Sequence, residues 1–353
     1  MGALSSYEQG ALDQVEQEKL RRLAKSPRRL VPAKVKTTAK NAGRRAKDLP
    51  GAEQAAQAAA KGYAKAAEGM GKFMARSSQF TLSSHRVLRA YRRNGHTLEN
   101  LADIHELDLQ VLDRVARFKR LNHIYASAAA VEGAGSGAAI SGGTLLAAGG
   151  SAGAGAGAAP GLALVSAAVA TDAAAVLIAA SRVVAHTGLY YGYNPEDPKE
   201  EIFMMSVISL GAASTQGAKM AAYSELSRVT QMLARSAPWV KLNTSVLAKV
   251  SQKFATKFGQ NLTKKKLGQF VPLAGIAVGA GMNYTLVDNI ADAAYWSYRE
   301  RFLRDKLGEA MAVPPEQTLG RDDGERILEE PIDVLKLLES EGINTSADGE
   351  SGV

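Results

Sequence analysis

The residues best placed to do chemistry are Gly149-Gly150-Ser151-Ala152-Gly153, followed downstream by Asp172 and His186. The G-x-S-x-G spacing is that of a nucleophile elbow, and the order Ser, Asp, His is the one α/β-hydrolases use. Such an elbow needs a strand before the serine, because the sharp strand-to-helix turn is what exposes the hydroxyl. Here the flanks are Gly and Ala without a β-branched run, and a tract of that composition produces the pattern readily. A serine hydrolase using Ser151 therefore stands only as a second alternative, and no catalytic residue is assigned.

Other motifs fail on a single position. His105-Glu106 begins like a zinc-peptidase helix, but Leu109 stands where the second imidazole is required. Gly211 to Lys219 has the outline of a phosphate loop, yet Gln216 replaces the needed glycine and the lysine is displaced. The Gly-x-Gly runs near 133 and 153 lack the preceding strand of a dinucleotide fold. The five histidines show no ligand spacing and the chain has no cysteine, so neither a metal site nor a bound cofactor is expected. Without cysteine a disulfide-stapled secreted domain is excluded as well.

The remaining polar residues of interest lie inside apolar helices. Asp172, Asp288 and Asp292 either pair with Arg182 or a lysine, face a wet cavity, or sit on a solvated face. Lys264, Lys265 and Lys266 form a triplet suited to anionic-lipid contact, or to a solvated helix end if no membrane is near.

The elements that must carry these residues read as helices throughout. Residues 7 to 25 and 33 to 47 are polar helices broken at Pro27 and Pro32, and the Ala-rich run from Gly51 to Arg93 has only a thin apolar stripe. Between Thr97 and Leu121 apolar residues follow helical steps, with Asp108 placed as a cap. From Gly133 to Thr171 no residue is charged, and Gly149, Gly153, Gly157 and Gly161 recur every fourth position. Each glycine costs about 1 kcal/mol relative to alanine in a helix, so this tract requires close packing of the small-xxx-small kind. Pro160 predicts a turn before it and a helix from 160 to about 186, closing a Gly/Ala-rich hairpin. Asp172 in its second arm would cost about 2.5 to 3.5 kcal/mol at a bilayer centre, which argues against a simple transmembrane helix.

Asp197-Pro198-Lys199-Glu200 spells a helix start in which Glu200 returns a bond to the cap. That helix should run to about Ala213, followed by helices near 217 to 235 and 244 to 266. Phe270 to Val287 is uncharged and contains Gly275 and Gly279, and a last helix over 270 to 306 ends in Tyr295, Trp296, Tyr298 and three arginines.

Charge is polarised end to end. Residues 1 to 49 hold twelve Lys/Arg against five Asp/Glu, while 314 to 353 hold eleven acids against three bases. The first twenty residues contain no apolar core of signal-peptide length. Met1-Gly2-Ala3-Leu4-Ser5-Ser6 fits the short myristoylation pattern, which matters only in a host with the enzyme.

Three stretches together resemble the EcsC family. They are Leu109 to Gly137, ending Val131-Glu132-Gly133-Ala134-Gly135-Ser136-Gly137; the turn Tyr191-Gly192-Tyr193-Asn194-Pro195-Glu196-Asp197-Pro198; and Phe270-Val271-Pro272-Leu273-Ala274-Gly275. The resemblance covers roughly residues 80 to 308. It implies a bacterial helical domain from a family whose founding member is encoded beside the subunits of an ABC transporter.

The expected architecture is all-α, a helical bundle containing a Gly/Ala-rich, closely packed hairpin. It divides into a basic, partly mobile helical arm over 1 to 79, an EcsC-like helical domain over 80 to 310, and an acidic, largely disordered tail over 311 to 353. The expected role is a non-enzymatic, membrane-associated accessory or scaffold, cytoplasmic and peripherally or partly embedded at the inner membrane, serving transport or envelope processes. Its partners would be the cytoplasmic leaflet or a membrane protein complex, with self-association a further option and nucleic acid not expected. The alternative is a soluble helical interaction module whose basic arm meets an anionic partner.

Overall fold

The computed structural model describes residues 3–24, 84–152, 158–234, 242, 244–267, 275–311, 331–343 and 345. Among these residues the chain forms ten α-helices and no strand, an all-α bundle as the periodicity requires. The helices are α1 (Ser6–Ala24), α2 (Ser84–Arg93), α3 (Leu109–Ala116), α4 (Phe118–Ala152), α5 (Ala158–Tyr190), α6 (Pro198–Ala212), α7 (Gln216–Ala234), α8 (Thr244–Leu267), α9 (Gly275–Leu307) and α10 (Val334–Glu339).

Helix α9 is the axis around which the others pack, touching α4, α5, α6 and α1. Its pairing with α4 is antiparallel: Phe118 meets Tyr295, His123 meets Tyr284, and Gly133 meets Gly279. A Cβ on Gly133 would stand 2.4 Å from the Gly279 carbonyl oxygen, so the two backbones approach as only glycine allows. Helix α6 also runs antiparallel to α9, with Glu200 beside Tyr298 and Gly211 against the Ile290 backbone.

The caps follow the sequence, with one correction. Asp108 accepts from the Gln110 amide and starts α3, and Asp197 accepts from Lys199 and starts α6 with Pro198 in the first turn. Glu200 does not return a bond to its cap. Its carboxylate is buried and committed to Tyr298 and Arg301, partners that are invisible in local sequence. Of the two helical segments expected between 97 and 121, the first is a short 3-10 turn over Ala102–Glu106, and the second is divided at Arg117, whose left-handed backbone (φ 47°) separates α3 from α4.

Two boundaries of the expected domain plan move. Residues 6–24 are not a wet arm, because α1 lies on the bundle with Leu4, Ala11, Val15 and Leu23 buried. Ser5 and Glu8 form a reciprocal capping box at its start, the Ser5 amide donating to Glu8 and the Glu8 amide to the Ser5 hydroxyl. The acidic tail is not wholly unstructured either: Ile332, Val334, Leu335, Leu337, Leu338 and Ile343 are buried where α10 docks on α6, α7 and α8. Of those two expected regions, residues 1–2, 25–79, 312–330, 344 and 346–353 lie outside the described residues.

The expected hairpin is present as α4 and α5, joined through residues 153–157, which are outside the described set. Because Gly133 pairs with Gly279, the first residue of α9 faces α4 near residue 137. Helix α4 therefore continues for about 15 residues, about 22 Å at 1.5 Å per residue, past the level where α9 begins.

Candidate functional site

Two regions of the bundle concentrate unusual residues: the charged C-terminal half of α9, and the uncharged hairpin. The first arises because Tyr295 to Lys306 is a helical stretch in which aromatic and charged side chains alternate by face. Arg301 projects between two rings, its guanidinium 4.0 Å from the Tyr193 centroid and 4.5 Å from that of Phe203. It donates to Glu200 at 2.8 Å, while Tyr298 donates to the other Glu200 oxygen and Tyr193 donates to Asp305 at 2.7 Å. Burial pushes the hydroxyls of Tyr193 and Tyr298 well above the usual tyrosine range, with the facing carboxylates adding to the effect.

The Tyr191-Gly192-Tyr193 turn is built into this node. Gly192 has φ +90°, and a Cβ there would meet the Leu101 carbonyl oxygen at 2.8 Å and the His105 ring at 3.0 Å. His105 stacks on Phe302 and meets Tyr193 edge-on, and burial lowers its pKa despite the nearby Asp305. His105 is thus a packing residue.

The outer side of the same segment holds α1 through a ladder of ion pairs. Glu8 meets Lys306, Glu16 meets Arg304, Lys19 meets Glu300 and Arg22 meets Asp292, an antiparallel order along the two helices. Asp113 is held by Arg299 at 2.8 and 2.9 Å and accepts from Tyr7 at 2.7 Å. A cleft of about 160 Å³ opens beside Arg301 and Arg304, with Asp305 and Glu309 in its wall. Both guanidiniums already engage carboxylates, so the region works as a polar lock between elements.

Of the residues singled out in the sequence, Ser151 lies in the last turn of α4, where no strand precedes it. Asp172 and His186 share α5 at a separation of about 21 Å along its axis, so they cannot serve one hydroxyl. His186 instead contacts Tyr125 and stacks on Tyr190, and burial pushes its pKa down to about 4. Asp172 and His186 therefore do not complete a triad with Ser151.

Asp172 is buried and accepts from Asn283 at 2.7 Å, joining α5 to α9 beside the Gly133–Gly279 crossing. Asp288 is half-buried, and burial together with neighbouring Asp292 raises its pKa. Asp292 is exposed on the outer face, bound to Arg22. Gly149 lies in α4 and Gly161 in α5, whereas Gly153 and Gly157 fall outside the described residues. Gly275 is the first residue of α9, and Gly279 is the only one of the selected glycines with a described close partner. The glycines that admit a neighbour most closely include Gly133, Gly188 and Gly211, which periodicity alone did not single out.

Lys264, Lys265 and Lys266 occupy the last turn of α8. Ser251 of α8 bonds Glu201 near the charged end of α9, and residues 268–274 must join α8 to Gly275 at the other end. Those two constraints run α8 toward the hairpin side of the bundle. One segment among the described residues, Thr171–Tyr190, is long and apolar enough to cross a membrane, but 61% of it is buried inside the bundle. Among the described residues no group of three His, Asp or Glu side chains could hold a metal ion.

The EcsC protein family matches residues 143–303, which take in the end of α4, helices α5 to α8, and α9 to within the charged run. This stretch of the chain is similar to the EcsC protein family. The matched region includes the Tyr193, Glu200, Tyr298 and Arg301 node and most of the hairpin, and starts later than the residue 80 that the motifs pointed to. The uncharacterized protein YdbA of Bacillus subtilis (strain 168) is 26% identical over 242 residues, covering 68% of this chain and 76% of YdbA. No solved structure matches the chain significantly. Helix α1 and α10 both lie outside the EcsC match, yet each is docked on helices within it.

Proposed function

We propose that this protein is a non-enzymatic accessory or scaffold that docks on the cytoplasmic leaflet of the inner membrane, in the service of transport or envelope processes. The observation that carries the reading is the hairpin: α4 runs about 22 Å beyond the start of α9, and no residue from Gly133 to Thr171 is charged. A bilayer is about 40 to 45 Å thick with its head-group regions, so a hairpin of this reach matches the depth of one leaflet. Its backbone is helical and internally bonded, as entry into hydrocarbon demands. The apolar Thr171–Tyr190 segment, mostly buried, belongs to the bundle that would stay in water. Lys264 to Lys266 lie toward the hairpin side and would meet anionic head groups.

The test is flotation of the full chain with neutral and anionic vesicles at low and high salt. Salt-resistant flotation that disappears in the Leu146→Arg/Leu164→Arg double variant, with helical content retained, is the expected result. A protein that stays at the bottom under every condition is a soluble helical interaction module, and the membrane reading fails.

A further inference from the structure

The C-terminal segment Pro331–Ile343 is attached to the bundle through both its backbone and its apolar side chains. Helix α10 has six residues, far too few to be helical alone in water, so its structure depends on what it lies against. Its contacts run to α6, α7 and α8, and Ile332, Val334, Leu335, Leu337, Leu338 and Ile343 are all buried there.

The polar anchors are made to the segment's backbone. The Ser209 hydroxyl of α6 donates to the Ile332 carbonyl and accepts from the Ile332 amide, both at 3.0 Å. Glu225 of α7 accepts from the Val334 amide at 2.7 Å, while its second oxygen is buried without a hydrogen bond. A carboxyl in an apolar groove costs stability, and here it receives the Val334 amide together with the Ser206 hydroxyl of α6 at 3.3 Å. At the far end Lys253 holds Ser340 and Glu341, and Lys249 also reaches Glu341. Main-chain anchoring with apolar side chains in a groove is how short peptides are recognised.

Met311 lines the cleft beside Arg301, and the rise along α6 from Glu200, at that level, to Ser209 is about 14 Å. Residues 312–330 could span about 60 Å if extended. Ser209 and Glu225 belong to the EcsC region, whereas the segment they hold does not.

We propose that the groove formed by α6, α7 and α8 is a peptide-recognition site, with Pro331–Ile343 of the same chain as its resident, detachable ligand. The groove selects a short segment with an Asp-capped helical turn and apolar residues at the positions of Ile332, Val334, Leu335, Leu337 and Leu338. While the segment is docked the site is closed, and its departure opens the groove to another polypeptide of that pattern.

The experiment uses the full-length chain carrying Leu335→Asp/Leu338→Asp, which empties the groove, and a fluorescent peptide of residues 331–345. Anisotropy should show saturable binding at least tenfold tighter to this variant than to the wild type, where the resident segment competes. Adding Glu225→Ala should weaken binding at least fivefold, and a scrambled peptide should not bind. Absence of binding to a variant with native helical content overturns the proposal, as does equal binding of the scrambled peptide. A double variant that loses its helical content also overturns it, because the segment would then be part of the core.

Discussion

The two halves of α9 bury themselves by opposite means. From Gly275 to Asp288 the helix packs by close approach: Gly279 meets Gly133 backbone to backbone, and the described polar links are Asn283 to the buried Asp172 and Tyr284 to His123. From Tyr295 to Lys306 it packs by long charged and aromatic side chains that reach α1, α3, α6 and the 191–197 turn. Close approach through glycine suits a pair of helices that continues as an uncharged hairpin. Arginine and glutamate bridges suit a junction where five segments meet and no single surface is apolar enough to hold them.

The sharpest way to break the charged half is to leave one partner behind. Arg301→Met strands the buried Glu200 carboxylate, and the expected loss is about 3 to 5 kcal/mol in chemical denaturation. Tyr298→Phe removes one hydroxyl from the same carboxylate and should cost less, about 1 to 2 kcal/mol.

The glycine half has a comparably direct test. Gly133→Ala sets a methyl 2.4 Å from a backbone oxygen that cannot rotate away, and about 2 to 3 kcal/mol should be lost in thermal unfolding. Gly135→Ala, with nothing within 4 Å of the added methyl, should instead raise stability by up to about 1 kcal/mol. If the two alanines behave alike, close backbone approach is not what holds this half together.

Outside α9, Glu225 supplies a pH signature. Burial raises its pKa from 4.5 to about 8, with Asp333 adding to the shift and the Val334 amide, Ser206 and Arg228 opposing it. Between those values the folded chain keeps a proton that the unfolded chain releases, so this group makes stability fall as pH rises from about 5 to 8. Glu225→Gln should flatten the dependence, measured as the denaturation midpoint against pH. The smallest effect belongs to the rim of the α1 ladder, where Arg22→Ala should change stability by about 0.5 kcal/mol or less, because Asp292 is half exposed.

Much of the fold was legible in the chain. Helical periodicity, Asp108 and Asp197 as caps, and Pro160 near the start of α5 place the helices to within a few residues. The docking of α1 had a readable signal in Ser5 to Glu8 and in Ala11, Val15 and Leu23 along one face, but its charged residues are as numerous as its apolar ones and give it a solvated look. The elbow at Ser151 shows the reverse error that a short motif invites, since a Gly/Ala/Ser composition imitates it inside a helix.

What the sequence determined by itself is local: helix content, where helices start and the uncharged 133–171 tract. Tertiary structure alone decided which charges are buried, that Glu200 serves Arg301 instead of its own cap, that Gly133 faces Gly279, and that the acidic tail contains a docked helix. The physical reason is range. Capping and periodicity act within a turn or two of helix, whereas an ion pair such as Glu8 with Lys306 exists only once most of the chain has brought its ends together.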